Sequence, residues 1–111
     1  MTNTFKRLAV PAAISSASAT TVYTVPAATS AQLGGVSVVN QSGASGTIKI
    51  HHVESGGSAD ATNCVLDTTT LSDGDNGWLL DGLIMTAAET LQVFADGTNA
   101  ISISVYGLEQ S

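Results

Sequence analysis

Three groups of residues are chemically suggestive. The first is His51 and His52, with Glu54 two residues beyond. On an extended chain, neighbouring side chains point to opposite faces, so the two imidazoles cannot share one ion. His52 and Glu54 fall on the same face and are expected to pair by a hydrogen bond or hold a metal weakly. A functional metal site needs more ligands than this, so an exposed strand-face pair is the expectation. The second group is Asp73, Asp75 and Asn76, which open like a calcium loop. The twelve-residue pattern then requires a ligand at position five, Gly at six and Glu at twelve. Those positions hold Gly77, Trp78 and Ile84, so the segment is read as a hairpin turn. The third group is the many Ser and Asp residues from which a hydrolytic triad could be drawn. There is no G-x-S-x-G elbow and no Gly-rich loop before a Lys-Ser or Lys-Thr pair. The one cysteine, Cys64, cannot form an intrachain disulfide, and it has no basic neighbour in sequence. It is read as a buried, inert thiol. The expectation is no enzyme, no cofactor and no metal.

The elements that must position these residues have a period of two. Ala100 to Tyr106 places Ile101, Ile103 and Val105 on one face and Ser102, Ser104 and Tyr106 on the other. This is the alternation of a half-buried antiparallel strand. Thr47 to His51, Gln32 to Asn40, Thr20 to Val25 and Glu89 to Ala95 follow the same rule. Gly34-Gly35 implies a bend or bulge within its strand. Cys64 to Leu71 and the apolar run Trp78 to Met85 are read as two further strands. Phe5 to Val10 is an additional edge strand or an extended arm. Turn residues punctuate these runs at Pro26-Ala27-Ala28, Gln41-Ser42-Gly43, Ser55-Gly56-Gly57, Ser72 to Gly77 and Asp96 to Asn99. Thr86 to Glu89 is a link between two strands. The prediction is an all-β chain: one antiparallel β-sandwich or jelly-roll-like domain of seven to eight short strands. Residues 1–19 form an N-terminal segment, an edge strand or arm followed by an Ala/Ser-rich loop. Residues 20–111 form the sandwich.

Composition narrows the function classes. Only 11% of the residues are charged while 43% are apolar, against about 25% charge in an average domain. Such a chain is neither a charged disordered segment nor a coiled coil. With Lys+Arg 3 against Asp+Glu 9 and a net charge of -6, it repels phosphate, and no nucleic-acid partner is expected. No apolar run approaches the length of a membrane span. Lys6-Arg7 before Leu8 to Ile14, with Ala17-Ser18-Ala19 beyond, has the outline of a secretory signal. The apolar stretch is short and interrupted by Pro11, which argues against that reading. A surface of Thr, Ser, Ala and Gly desolvates cheaply, so packing against other subunits, as a homo-oligomer, is expected.

Two places invite such packing. Phe5, Lys6, Arg7 and Leu8 form a basic, aromatic segment in an acidic chain, suited to contact a neighbouring subunit. Trp78 follows a turn and is either a core residue or an interface anchor.

Asn3-Thr4-Phe5-Lys6-Arg7-Leu8-Ala9-Val10 resembles the start of small virion structural proteins of tailed bacteriophages. Thr20 to Ala27 is similar to their "T-x-Y-T-V-P-A" strand and turn. Trp78 to Met85, followed by Ala88-Glu89-Thr90-Leu91-Gln92-Val93, resembles their C-terminal "A-G-D/E-x-L-x-V" turn between strands, with Ala88 where Gly is typical. The resemblance spans most of the chain and rests on strands and turns. It implies a non-enzymatic particle component located in the virion, at the capsid surface or tail, and made in the host cytoplasm. The leading expectation is a capsid decoration (cement) protein whose partners are the major capsid protein or other virion subunits. A tail, head–tail or fibre-associated protein is the alternative, and a host-glycan-binding module is a third.

Overall fold

The computed structural model describes residues 2–14, 18–41, 43–79, 82–95 and 101–111, the side chains of residues 10–13, 78 and 79 excepted. The strands are β1 (Asn3–Ile14), β2 (Thr20–Thr24), β3 (Ser30–Asn40), β4 (Gly46–Val53), β5 (Cys64–Leu71), β6 (Asn76–Leu79), β7 (Ile84–Met85), β8 (Thr90–Ala95) and β9 (Ile101–Gln110). They build two antiparallel sheets. The front sheet has the order β1-β9-β3-β6, with β7 also paired to β3. The back sheet has the order β2-β8-β4-β5.

The pairing follows a rule: β1 joins β9, β2 joins β8, β3 joins β6 and β7, and β4 joins β5. First pairs with last, second with next to last, and so inward. That is one long antiparallel hairpin rolled over on itself, the winding of a jelly roll. The expected sandwich is therefore observed, with two refinements. First, Trp78 to Met85 is not one strand. Gly82, with φ of 79°, lies between β6 and β7, and its N–H donates to the Leu33 carbonyl at 2.8 Å. Second, β1 is twelve residues long and paired with β9 from Asn3 to Ile14. It is an edge strand and not a free arm. Leu8, Ala9 and Ile14 belong to the core. Pro11 falls inside β1 where the register shifts between Ala9 and Ala12. A strand edge with a bulge is where a residue without an N–H is tolerated.

The alternation read from sequence supplies the core. Leu33, Val36, Val38, Ile101, Ile103 and Val105 project from the front sheet onto Ile48, Ile50, Leu91 and Val93 of the back sheet, and all are buried. Each such burial contributes about 1.5–3 kcal/mol. Asn40 is fully buried at the end of β3 and ties the sheets together. Its Nδ2 donates to the Ala44 carbonyl at 2.9 Å and to the Leu71 carbonyl at 2.8 Å.

The turns differ from the expectation in one respect. Ser72 to Asp75 is a tight turn, with the Asp75 N–H donating to the Ser72 carbonyl at 2.9 Å. It is not a hairpin, because β5 pairs with β4 in the back sheet and β6 with β3 in the front. It carries the chain from one sheet to the other. The turns assigned to Asp96 to Asn99, and Ser42 in another, lie outside the described residues.

Two backbone positions yield tests. Gly107 of β9 lies against β3, where an added Cβ would overlap the Gln32 carbonyl and come within 3.0 Å of Leu8 Cδ1. Gly107→Ala should lower the unfolding free energy by about 2 kcal/mol in urea titration, since the backbone cannot give way cheaply. Ala88 holds a left-handed conformation, φ 66°, in the turn before β8. Glycine carries no penalty there, so Ala88→Gly should raise stability by about 1 kcal/mol in the same titration.

Candidate functional site

The first place to examine is the face that β1 presents. Alternation turns Phe5 and Arg7 outward from the sandwich and Lys6 and Leu8 toward its interior. Phe5 is 84% exposed, and Ile84 of β7 is 58% exposed. The register brings them into one line. Phe5 lies opposite Leu108, Leu108 opposite Gln32, and Gln32 opposite Ile84. Directly opposed residues share a face, so this is one row across four strands. Grooves of about 220 and 170 Å³ flank it, the first lined by Phe5, Gln32, Gly34 and Leu108, the second by Ser30, Gln32, Ile84 and Leu108. Beside the row, Arg7 donates to the Tyr106 hydroxyl at 3.2 Å, with its guanidinium 5.4 Å from the ring centroid. Neighbouring outward positions carry Asn3, Ser30, Ser37, Ser102, Ser104 and Gln110. Among the described residues, no carboxylate projects outward from the front-sheet strands.

Lys6 and Leu8 do not join this face. Leu8 is core, buried beside Gly107. Lys6 Nζ lies 2.8 Å from Glu109 Oε1, and the Tyr23 hydroxyl donates to Glu109 Oε2 at 2.5 Å. Tyr23 is on β2 and Glu109 on β9, so this cluster links the back sheet to the front at the open side of the sandwich. Burial alone would raise the Glu109 carboxyl. The hydrogen bonds from Lys6 and Tyr23 outweigh it and hold the group below the ordinary value of 4.5. Burial and the adjacent Glu109 push the Tyr23 phenol up from 10.0.

The histidines find partners that sequence spacing does not indicate. His52 Nε2 is 2.8 Å from Glu89 Oε1, a residue before β8, and not paired with Glu54. Glu54 instead accepts from Asn63 Nδ2 at 3.2 Å. His51 is buried and not an exposed face residue, and Asn63 of the β4–β5 loop is hydrogen-bonded to it. Its Nδ1 is 2.9 Å from Asn63 Oδ1, which also accepts the Asp60 N–H at 3.0 Å. Asn63 Oδ1 is an acceptor, so the contact is one in which His51 Nδ1 donates. The buried Nε2 has no partner among the described residues.

Around His51 the outward face of the back sheet forms a concave site of about 440 Å³. Lys49 and Phe94 sit opposite each other on β4 and β8, with Lys49 Nζ 5.6 Å from the Phe94 ring centroid. Val65 and Asp67 of β5, with Asp60 of the loop, close its other side. Hydrogen bonds from the Thr62 hydroxyl and N–H hold the Asp60 carboxyl below its ordinary value. Cys64 lines the same site and is half-buried, more accessible than the inert thiol expected.

The remaining candidates are structural in their contacts. Asp73 Oδ1 accepts the Gly43 N–H at 2.9 Å and Asp75 Oδ2 accepts the Ser72 N–H at 2.9 Å, so both brace turns. Among the described residues, no group of three His, Cys, Asp or Glu side chains is placed to hold a metal ion. No helix there is long and apolar enough to cross a membrane. Trp78 lies on β6 opposite Ser37, and its side chain lies outside the described residues. Sequence reasoning picked out Phe5 and Arg7 but missed Ile84, Leu108, Tyr23 and Glu109. The signal for Leu108 was present: continuing the alternation of Ile101 to Val105 puts it outward.

No protein-family model and no curated protein matches the chain. Among solved structures it is similar to a chain from Bacillus endospore appendages, described as a novel family of disulfide-linked pili. The two share 13% identity and a TM-score of 0.59, over 99% of this chain and 88% of that one. At that identity the likeness is one of fold.

The Glu109 cluster predicts the acid behaviour. Glu109 and Glu89 are both held below the ordinary 4.5, so they stabilise the fold above that pH. The contribution drains as pH falls through their lower folded values. Glu109→Gln should be less stable than wild type at neutral pH and should lose less on acidification, read from urea midpoints down to about pH 2. An acid limb unchanged by the substitution contradicts the assignment. Tyr23 acts in the opposite sense, and its contribution is lost as pH rises above 10.0.

Proposed function

We propose that this chain is a non-enzymatic structural subunit of a bacteriophage particle, a decoration protein that binds the outside of the assembled shell. The observation that carries the reading is the outward row Phe5–Leu108–Gln32–Ile84 with Arg7 beside it. A lone soluble domain gains nothing from an aromatic ring that is 84% exposed, and an apolar row rimmed by Ser, Asn and Gln has the composition of a contact face. The virion setting is supported by the sequence resemblance of the N-terminal strand, the Thr20 to Ala27 segment and the C-terminal turn. Decoration works by mass action: many modest contacts formed only with the assembled lattice stabilise that lattice.

A filament or tail component is the second reading. The fold likeness to a pilus chain favours it, since that scaffold serves a polymeric appendage there. Both readings share the contact face and differ in location.

The N-terminal contact is tested by point substitution, because removing residues 1–10 would strip an edge strand from the front sheet. Fluorescently labelled protein is mixed with empty capsids and with tails from the same phage. Binding should saturate on capsids, and Phe5→Asp should weaken it by at least about tenfold, as for an aromatic anchor. Binding to tails alone moves the assignment to the second reading. Undiminished capsid binding by Phe5→Asp removes this face from the contact.

A further inference from the structure

The two broad faces of the sandwich are chemically unlike. The front face presents Phe5, Leu108 and Ile84 with Arg7 and carries no carboxylate among the described residues. The back face carries the concave site walled by Lys49, His51, Val65 and Phe94, with Asp60 and Asp67 at its side. The large exposed hydrophobics among the described residues are Phe5, Ile84 and Val65, and they divide between these two faces.

We infer that the two faces mate head to tail between copies of this chain: the Phe5 ring of one copy enters the His51–Phe94 site of the next, and Arg7 meets Asp60 and Asp67. The inference rests on the structural-subunit reading above and names a second copy of the same chain as the partner of the front face within a stack, so that only the terminal copy offers its Phe5 row to the shell.

Charge selects this arrangement. Each copy carries a net charge of -6, so association must avoid setting acid against acid. A front-to-front pair would oppose Arg7 to Arg7. A back-to-back pair would oppose the Asp60 and Asp67 carboxylates to their equivalents. The back-face site carries Lys49 as well as Asp60 and Asp67, so its charged side chains are on balance acidic, and front-to-back sets the basic face against it. The groups are free to respond. Arg7 is bonded to a neutral phenol, not to a carboxylate. Asp60 Oδ1 accepts from the Thr62 N–H and hydroxyl, and Asp67 Oδ1 accepts from the Thr68 N–H and hydroxyl, with no cation in either set.

Shape agrees. Phe5 and Arg7 project from the same face about 7 Å apart along the strand, a ring and a charge on one short ridge. The receiving site holds about 440 Å³, with Phe94 in its wall for edge or offset contact with an entering ring. Its wall also contains a buried polar atom, His51 Nε2, that has no partner among the described residues. The molecule measures 45 × 26 × 18 Å, so a broad face has room for the roughly 800 Å² per partner of a stable interface. Because the surfaces are different and lie on opposite sides, the contact is heterologous and propagates into a stack.

The test uses one variant blocked on each face. Phe5→Asp disables the ridge and leaves the receiving site intact. Asp67→Arg disables the receiving site and leaves the ridge intact. Wild-type protein should show concentration-dependent growth beyond a dimer in sedimentation velocity. Each variant alone should be monomeric, and an equimolar mixture should form one-to-one dimers and nothing larger, because one good ridge meets one good site. Circular dichroism establishes that both are folded. If Asp67→Arg is not, Asp60→Asn with Asp67→Asn replaces it and should weaken wild-type-like association by at least about tenfold. A mixture that stays monomeric overturns the inference, as does Phe5→Asp protein that still polymerises. Wild-type protein monomeric at every concentration also overturns it. Capsid binding is measured separately, so the structural-subunit reading stands or falls on its own result.

Discussion

The register of β9 between β1 and β3 is the constraint on which the rest of the molecule depends. β9 is hydrogen-bonded on both sides, and its side chains alternate strictly from Ile101 to Val105. A slip of one residue would carry Ile101, Ile103 and Val105 to solvent and Leu108 to the interior. The bare Cα of Gly107 helps hold the setting, since β9 can approach the Gln32 carbonyl only there. Once the register is set, the outward row is also set. Phe5, Leu108 and Gln32 line up because β1 and β3 are both aligned on β9, and Ile84 joins the row through the pairing of β7 with β3. Core and outward row are two sides of a single alignment.

The low charge of the chain gains meaning from where the charges sit. Lys6 is spent on Glu109 within the fold, at the seam where β1 and β2 bring the two sheets together. Asp73 and Asp75 accept backbone N–H groups in turns and act as local structural acceptors. Glu89 accepts the Thr86 N–H and faces His52. Among the described residues, what remains on the broad faces is sparse: Arg7 on the front, and Lys49 with Asp60 and Asp67 on the back. Few charges, separated this way, impose an orientation on association without a large desolvation cost.

Much of this was legible in the sequence, for definite reasons. Cys64–Leu71 is observed as read, and β3, β4, β8 and β9 differ only at their ends, because period-two alternation is a local property. The outward direction of Phe5 and the inward direction of Leu8 follow from the same rule once β1 is a strand, so the segment Phe5 to Leu8 divides between contact row and core. The unread features are non-local. The run from Trp78 to Met85 looks continuous because apolarity hides the break at Gly82. The turn at Ser72 to Asp75 looks like a hairpin because sheet membership is not written in a turn. His52 reaches Glu89 across 37 residues of sequence, and no spacing rule points there. The concave site draws on β4, β5, β8 and the loop between β4 and β5, so only the folded sandwich assembles it.

Whether the outward face of the front sheet is a contact face is decided by a cryo-EM map of the assembly proposed above. Phe5, Leu108 and Ile84 should be covered by a neighbouring subunit, with Arg7 facing a carboxylate across the boundary. A map in which those residues face open solvent while the copies are held by other surfaces would contradict this.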